Sequence, residues 1–206
     1  MEILSKLFGS AARVKILRLF LFNPENIFDK KEICKRSKLQ PHTVRKEVAL
    51  VERIGLIKRR SFFKEGEQKQ SRRKKIVKKR VQGWVLDDMF LYREPLQLFL
   101  LKTATLENDY ILRKLRSAGK LKVVIVAGVF IQDWDSRVDL LVVGDNLKKS
   151  KLEGVIKDIE AEMGMELRYA VFSTKDFKYR LGMRDRLMRD ILDYPHHKLL
   201  NHLNVL

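Results

Sequence analysis

The sequence predicts an α+β chain in two parts, and three observations carry that prediction. Apolar residues recur at helical spacing between Ala11 and Gly55. A dense basic segment follows, divided by a turn region and running on to Leu86, as a hairpin does. Beyond residue 120, two short apolar runs rich in β-branched residues alternate with helical stretches, the pattern of buried strands in a small mixed sheet. The expected divisions are 1–90, a helical linker over 91–119, and an α/β part over 120–206.

The first helix is expected over Ala11–Phe22, with Val14, Leu17 and Leu21 on one stripe and Ile16 and Phe20 widening it. Asn23-Pro24 stops it. Asp29, with Glu32 three positions later, reads as a capping box opening a short helix through Ser37. Ile33 faces inward there, and Cys34 is read as a small buried hydrophobe. Pro41 suits a first helical position. Val44, Val48 and Val51 then recur at +4 and +3, with Leu50 and Ile54 beside them, and Gly55 ends the helix. Gln40, His42, Thr43, Arg45, Lys46 and Ala49 are left pointing elsewhere. Helix, short helix, turn and helix make a helix-turn-helix spacing, whose third helix presents polar and basic residues to a major groove.

Leu56–Phe63 is expected as a strand, Lys64–Glu67 as a turn region, and Lys75–Leu86 as the returning strand through Ile76, Val77, Val81, Trp84 and Leu86. Residues 58–80 hold 12 Lys and Arg and only two acids, Glu65 and Glu67. So dense a run needs a counter-charge, and basic hairpins suit phosphate or minor-groove contact. The tip, roughly Lys64–Lys75, is expected to be mobile without nucleic acid.

Charge locates the partner. The 206 residues carry a formal net charge of +18, which steers toward polyanions. Residues 1–90 hold 24 Lys and Arg against 10 Asp and Glu, and residues 91–206 hold 20 against 16. The polyanion contact therefore belongs to the first part. A single cysteine excludes an intrachain disulfide and a cysteine-based metal cage. No apolar run has the length of a spanning helix, and Met1–Phe8 is too short a run for a secretory signal. A cytoplasmic, nucleoid-associated protein is expected, with no cofactor.

The first part resembles the winged-helix transcriptional regulators over about residues 5–90. The resemblance rests on Phe8-Gly9-Ser10-Ala11-Ala12-Arg13-Val14-Lys15-Ile16-Leu17, on Thr43-Val44-Arg45-Lys46-Glu47-Val48, and on the exit Glu52-Arg53-Ile54-Gly55-Leu56-Ile57. It implies duplex DNA binding, often as a dimer on a two-fold-related site. The candidate DNA-binding residues are Gln40, His42, Thr43, Arg45 and Lys46 of the third helix. The hairpin adds Lys58, Arg59, Arg60, Lys69, Arg72, Arg73, Lys74, Lys75, Lys78 and Lys79.

In the second part Leu96–Leu101 is an apolar helix or linker, and Leu106–Ala118 is helical, capped by Thr103 or Thr105 and ended by Gly119. Strands are expected over Lys122–Gly128, Arg137–Asp145 and Met165–Phe172. Helices are expected over Leu152–Met163, Phe177–Leu192 and His196–Leu203. This stretch resembles the minimal nucleotidyltransferase domain, in which Gly-Ser follows one strand and the two aspartates of Ser-Asp-x-Asp-Leu on the next jointly hold Mg²⁺. Here Val129 follows Gly128, and Ser136-Arg137-Val138-Asp139-Leu140 puts arginine where the first aspartate belongs. Glu166 is the loosely aligned third carboxylate. One carboxylate beside an arginine cannot hold two metal ions, and Arg137 is expected to pair with Asp139 or repel metal. Gly128, Ser136, Arg137 and Asp139 thus read as a vestigial nucleotide site, without catalysis and without a metal. Asp133 and Asp135 read as solvated loop acids, His196, His197 and His202 as surface or capping residues, and Trp134 as packed onto the domain.

Three functions follow as expectations. The leading one is a DNA-binding regulator whose second part dimerises it, recruits a partner or senses a small phosphorylated ligand, dimerisation being the default. The others are an active nucleotidyltransferase and a packaging or RNA-binding protein with little sequence preference.

Overall fold

The computed structural model describes residues 2–70, 73–102 and 108–204, with the backbone alone at 2, 66–70, 73–77 and 108. It is mixed α+β, as expected, and divides into two compact units, Met1–Leu100 and Leu101–Leu206. No helix among the described residues is long and apolar enough to cross a membrane.

The first unit opens with α1 (Glu2–Leu7), a helix the sequence reading left unassigned; Leu4 anchors it in the core. Helix α2 (Ala11–Leu21) begins where the Ser10 hydroxyl accepts the Arg13 amide at 3.2 Å. Val14, Ile16, Leu17, Phe20 and Leu21 are all buried, as the stripe predicts. Helix α3 (Lys30–Ser37) starts at Asp29, whose carboxylate accepts the Glu32 amide at 2.8 Å. Lys38 takes a left-handed conformation, φ 53°, to turn the chain toward α4 (Pro41–Arg53). Val44, Val48 and Val51 of α4 join the core, and Gly55 leaves the helix at φ 81°. Ile54 departs from its expected place on the apolar face: it is exposed, because the helix has already ended there.

Strands β1 (Ile57–Gln70) and β2 (Arg73–Leu86) form an antiparallel ribbon in unbroken register from Ile57↔Leu86 to Gln70↔Arg73. The expected turn at Lys64–Glu67 is instead strand. A two-residue turn needs positive φ at its centre, and Gly66 is the only residue there that supplies it cheaply. The ladder therefore continues, and Glu65 meets Lys78 across it at 3.8 Å. Ser71 and Arg72 lie outside the described residues. A third short extended piece joins the ribbon's base: Phe28 and Trp84 exchange both backbone hydrogen bonds at 2.9 Å. Gly83 makes this possible, since a Cβ there would meet the Phe28 carbonyl at 2.8 Å.

Helix α5 (Arg93–Lys102) packs Leu96 and Leu100 into the first unit's core, so this part of the expected linker belongs structurally to that unit. The second unit begins with α6 (Asn108–Arg116); the expected Thr103 and Thr105 caps lie outside the described residues. Its four-stranded sheet has the order β5-β4-β3-β6, from β3 (Lys120–Val126), β4 (Leu140–Asp145), β5 (Tyr169–Phe172) and β6 (His197–Asn201). β3 runs antiparallel to β4 and β6, while β4 and β5 are parallel and joined through α7 (Lys149–Met163). Val123, Ile125, Leu141 and Val143 pack with Phe177, Met188 and Ile191 of α8 (Thr174–Gly182) and α9 (Arg186–Leu192). Their neighbours Val124, Val126, Leu140 and Val142 are buried as well, which is why these strands read as continuous apolar runs.

Four expectations fail here. β4 starts at Leu140 rather than Arg137, and β5 at Tyr169 rather than Met165. The Phe177–Leu192 helix is two, broken at Arg184, φ 52°, before Asp185 caps α9. His196–Leu203 is largely strand, not helix: without β6, the backbone of β3 would be an open edge. That pairing outweighs the local helical pattern.

Candidate nucleic-acid interface

The position of α4 is set by a buried charge. Glu47 lies three residues after Val44 and four before Val51, on the inward stripe, and is buried. Arg13 of α2 answers it, its Nε donating to the Glu47 carboxylate at 2.8 Å while its Nη1 donates to the Phe8 carbonyl at 2.6 Å. A buried carboxylate needs such a partner. The spacing of the valines signals Glu47's burial, although the sequence reading did not use it.

With the apolar stripe and Glu47 turned inward, the other side of the helix faces outward. Gln40, His42, Arg45, Lys46 and Ala49 are exposed, and Thr43 is half-buried with its hydroxyl 3.1 Å from the His42 ring. Arg45 and Lys46 form no hydrogen bond or ion pair among the described residues. The five expected α4 residues therefore share one accessible surface at the helix's N-terminal turns.

The hairpin cations divide. Lys58 donates to Asp87 at 2.9 Å. Arg59 grips Glu52 of α4 with two nitrogens, at 2.6 and 3.3 Å, and the Trp84 indole N–H donates to the same carboxylate at 3.2 Å. Lys64, not among the expected residues, donates to Asp29 at 2.8 Å and Glu32 at 3.1 Å, tying the ribbon to the start of α3. Arg60, Lys79 and Arg80 are exposed without a partner among the described residues, and Lys78 reaches only Glu65. Arg80 was missed by the sequence reading, although its place in the basic run is the signal. The expected side chains of Lys69, Arg73, Lys74 and Lys75, and all of Arg72, lie outside what is described. Between ribbon and α4 lies a cleft of about 250 Å³, lined by Arg45, Ala49, Glu52, Arg59 and Trp84 among others.

The carboxylates at the ribbon's base respond to these cations. Arg59 holds Glu52 below the usual glutamate value against the opposing effect of burial, with the Trp84 indole helping. Burial pushes Asp29 up, but the Lys64 ammonium and the Glu32 and Lys31 amides outweigh it and keep it low. Lys58 and the Met89 amide lower Asp87. Groups with depressed folded values add stability above their unfolded values, and lose it as pH falls through the folded ones. Acidification from about pH 5 toward pH 3 is therefore expected to loosen the ribbon's base. Indole emission from Trp84, followed in a Trp134→Phe background, should shift in that window before global unfolding. Each exposed pair is worth at most about 1 kcal/mol, so emission that stays flat until the global transition would show that these pairs do not set the ribbon.

The expected vestigial site in the second unit is rearranged. Asp139 is buried just before β4 and accepts four hydrogen bonds. They come from the Val129 amide at 3.1 Å, the Arg168 amide at 2.8 Å, and the Arg168 guanidinium at 3.1 and 3.0 Å. Asp139 and, more weakly, Asp133 raise the Arg168 guanidinium above its usual value. Gly128 has φ 54° and lies so close that a Cβ would overlap the Asp139 carboxylate. Arg137 does not pair with Asp139, contrary to expectation. It is exposed and bonds Asp190 at 3.1 Å: the chain bends at Arg137 and Asp139 before β4 begins, so the two are not held on one side as positions i and i+2 of a strand would be. Ser136 is buried with its hydroxyl spent on the Val138 carbonyl at 2.8 Å.

A divalent cation does not fit these residues. Both Asp139 oxygens are already committed to the Arg168 guanidinium and to the Val129 and Arg168 amides. Glu166 is exposed in the loop before β5, and no group of three or more His, Cys, Asp or Glu suited to a metal occurs among the described residues. Asp133 and Asp135 belong to one loop turn, the Asp135 amide donating to Asp133 at 3.2 Å. Trp134 between them is half-exposed rather than packed away. The His196 Nδ1 lies 2.9 Å from the Tyr194 carbonyl just before β6, which His197 opens with its side chain exposed. No family model, no curated protein and no solved structure matches this chain.

Proposed function

We propose that this is a sequence-specific duplex DNA-binding protein, a transcriptional regulator of winged-helix type with α4 as its recognition helix and the β1–β2 ribbon as its wing. The second unit is proposed as a nucleotidyltransferase-like domain without catalytic activity, serving first to bring two copies together, with partner or small phosphorylated-ligand binding as its other roles. The observation that carries the reading is the state of α4's outward face. The unit's buried acid and its wing-base acids are occupied by other cations, while Arg45 and Lys46 stand exposed and, among the described residues, without a counter-charge on the first turns of a helix preceded by a helix-turn. Such a face matches base edges and phosphates of a major groove. The rearranged Asp139 supports the non-catalytic reading, since its charge is spent on Arg168.

Selection of bound duplexes from a random pool, with the number of bound copies measured alongside, tests this. The expected result is one enriched motif in two-fold-related halves, occupied by two copies. A pool that remains random at physiological salt would replace the reading with non-specific polyanion binding, since +18 of net charge alone provides that.

A further inference from the structure

We infer that the ribbon works in two zones: an inner zone whose cations fasten it to the helices, and an outer zone that grips phosphates about six base pairs beyond the helical unit. This rests on the reading of the first unit as a duplex DNA binder, and adds to it where the wing touches and how far it reaches.

The inner zone is defined by where positive charge is consumed. Lys58, Arg59 and Lys64 are each within 2.9 Å of a carboxylate oxygen, on Asp87, Glu52 and Asp29 respectively. Those three acids come from three places: the ribbon's own exit, α4, and the cap of α3. A cation so paired has little net field to offer DNA, and moving it to a phosphate would cost the pairing it leaves. The last of these anchors lies at the rung Lys64↔Lys79.

Beyond that rung the balance changes. Residues 65–78 contain six Lys and Arg and two acids, Glu65 and Glu67. The register sets Lys69 directly across from Lys74, and Lys64 across from Lys79. Like charges on directly opposed positions disfavour a sheet pair. At Lys64↔Lys79 the cost is relieved by Asp29 and Glu32. Farther out, the paired positions from Gly66↔Val77 to Gln70↔Arg73 offer only Glu67 against Lys69, Arg73, Lys74 and Lys75. An external polyanion supplies the missing counter-charge. The exposed Lys79 lies on the opposite face of the ribbon from Lys78 and Arg80, so the ribbon is basic on both faces. That suits a position between two phosphate strands, in a groove, better than one flat surface.

The reach follows from the backbone. Six rungs, Glu65↔Lys78 through Gln70↔Arg73, lie past the Lys64 anchor. At about 3.3 Å per residue this is about 20 Å, and at about 3.4 Å per base pair it spans about six pairs.

Hydroxyl-radical footprinting on the selected duplex tests the inference with the full chain and two variants. In the first, residues 66–77 are replaced by Asn-Gly, a pair that closes two-residue hairpins, which keeps every inner ion pair. In the second the strands stay and the charge goes, through Lys69→Gln, Arg72→Gln, Arg73→Gln, Lys74→Gln and Lys75→Gln. Both are expected to keep the central protection and lose about six base pairs from the wing-side flank. The salt dependence of log K should flatten by about 4 for the five charges removed. Central protection with an unchanged flank and slope overturns this inference alone. A full chain that protects no preferred sequence overturns the DNA reading itself, and the two-zone wing with it.

Discussion

Arg45→Glu combined with Lys46→Glu is expected to abolish recognition of the preferred duplex while the protein melts at an unchanged temperature. Both side chains are exposed on α4 and hold no partner among the described residues, so the fold loses nothing by their removal. Glutamate is also as good a helix former as either. The cost falls on binding. A cation well placed on a base edge contributes about 1–3 kcal/mol of discrimination, and reversal adds repulsion from neighbouring phosphates. A combined loss of about 3 kcal/mol or more corresponds to at least about a hundredfold weaker binding. Competition between the preferred and a scrambled duplex measures it, with thermal unfolding as the control. Preference retained by the double variant would show that α4 is not the reading element.

The second large effect is on stability. Arg168→Met is expected to destabilise the second unit by about 3 kcal/mol, the scale for stranding a buried charge by removing its partner. Asp139 is buried, and two of its four hydrogen bonds come from the Arg168 guanidinium. The carboxylate cannot turn away, because Gly128 and the Val129 amide hold it on the other side. Adding Asp139→Asn should restore part of the loss, since a neutral amide is far cheaper to bury than a lone carboxylate. Denaturant unfolding of the single and double variants gives both numbers. A single variant as stable as the parent would mean that Asp139 is solvated and open to other ligands. The same pair decides the enzymatic alternative: incubation with labelled nucleotides and Mg²⁺ or Mn²⁺ is expected to give no transfer. Transfer abolished by Asp139→Ala would overturn the non-catalytic proposal.

How much of this was legible before the structure differs by region. α2, α3 and α4 follow their apolar spacing, the Asp29 cap, Pro41 and Gly55 to within a residue or two, because local signals and burial agree there. The exposed face of α4 was legible for the same reason. The ribbon's length was not. Gly66 looks like a turn in one dimension, and only the cross-strand partner reveals that it is not. β6 was misread because its last residues gain their backbone hydrogen bonds from β3, some 75 residues earlier in the chain. Glu47 was legible in principle, from its position on the valine stripe.

The sequence by itself determined where charge accumulates, that α2, α3 and α4 form and that β3 and β4 are buried, since composition and periodicity are properties of the linear chain. Only the tertiary structure decided which charges remain available. Arg59 and Arg60 are adjacent and chemically alike, yet one holds Glu52 and the other faces solvent, because alternation along β1 turns only one toward α4. Asp139 and Arg137 stand two residues apart, yet each finds its counter-ion elsewhere, in Arg168 and Asp190. Ion pairing depends on distances of a few ångströms, and those distances are fixed by the folding of the chain rather than by neighbourhood along it.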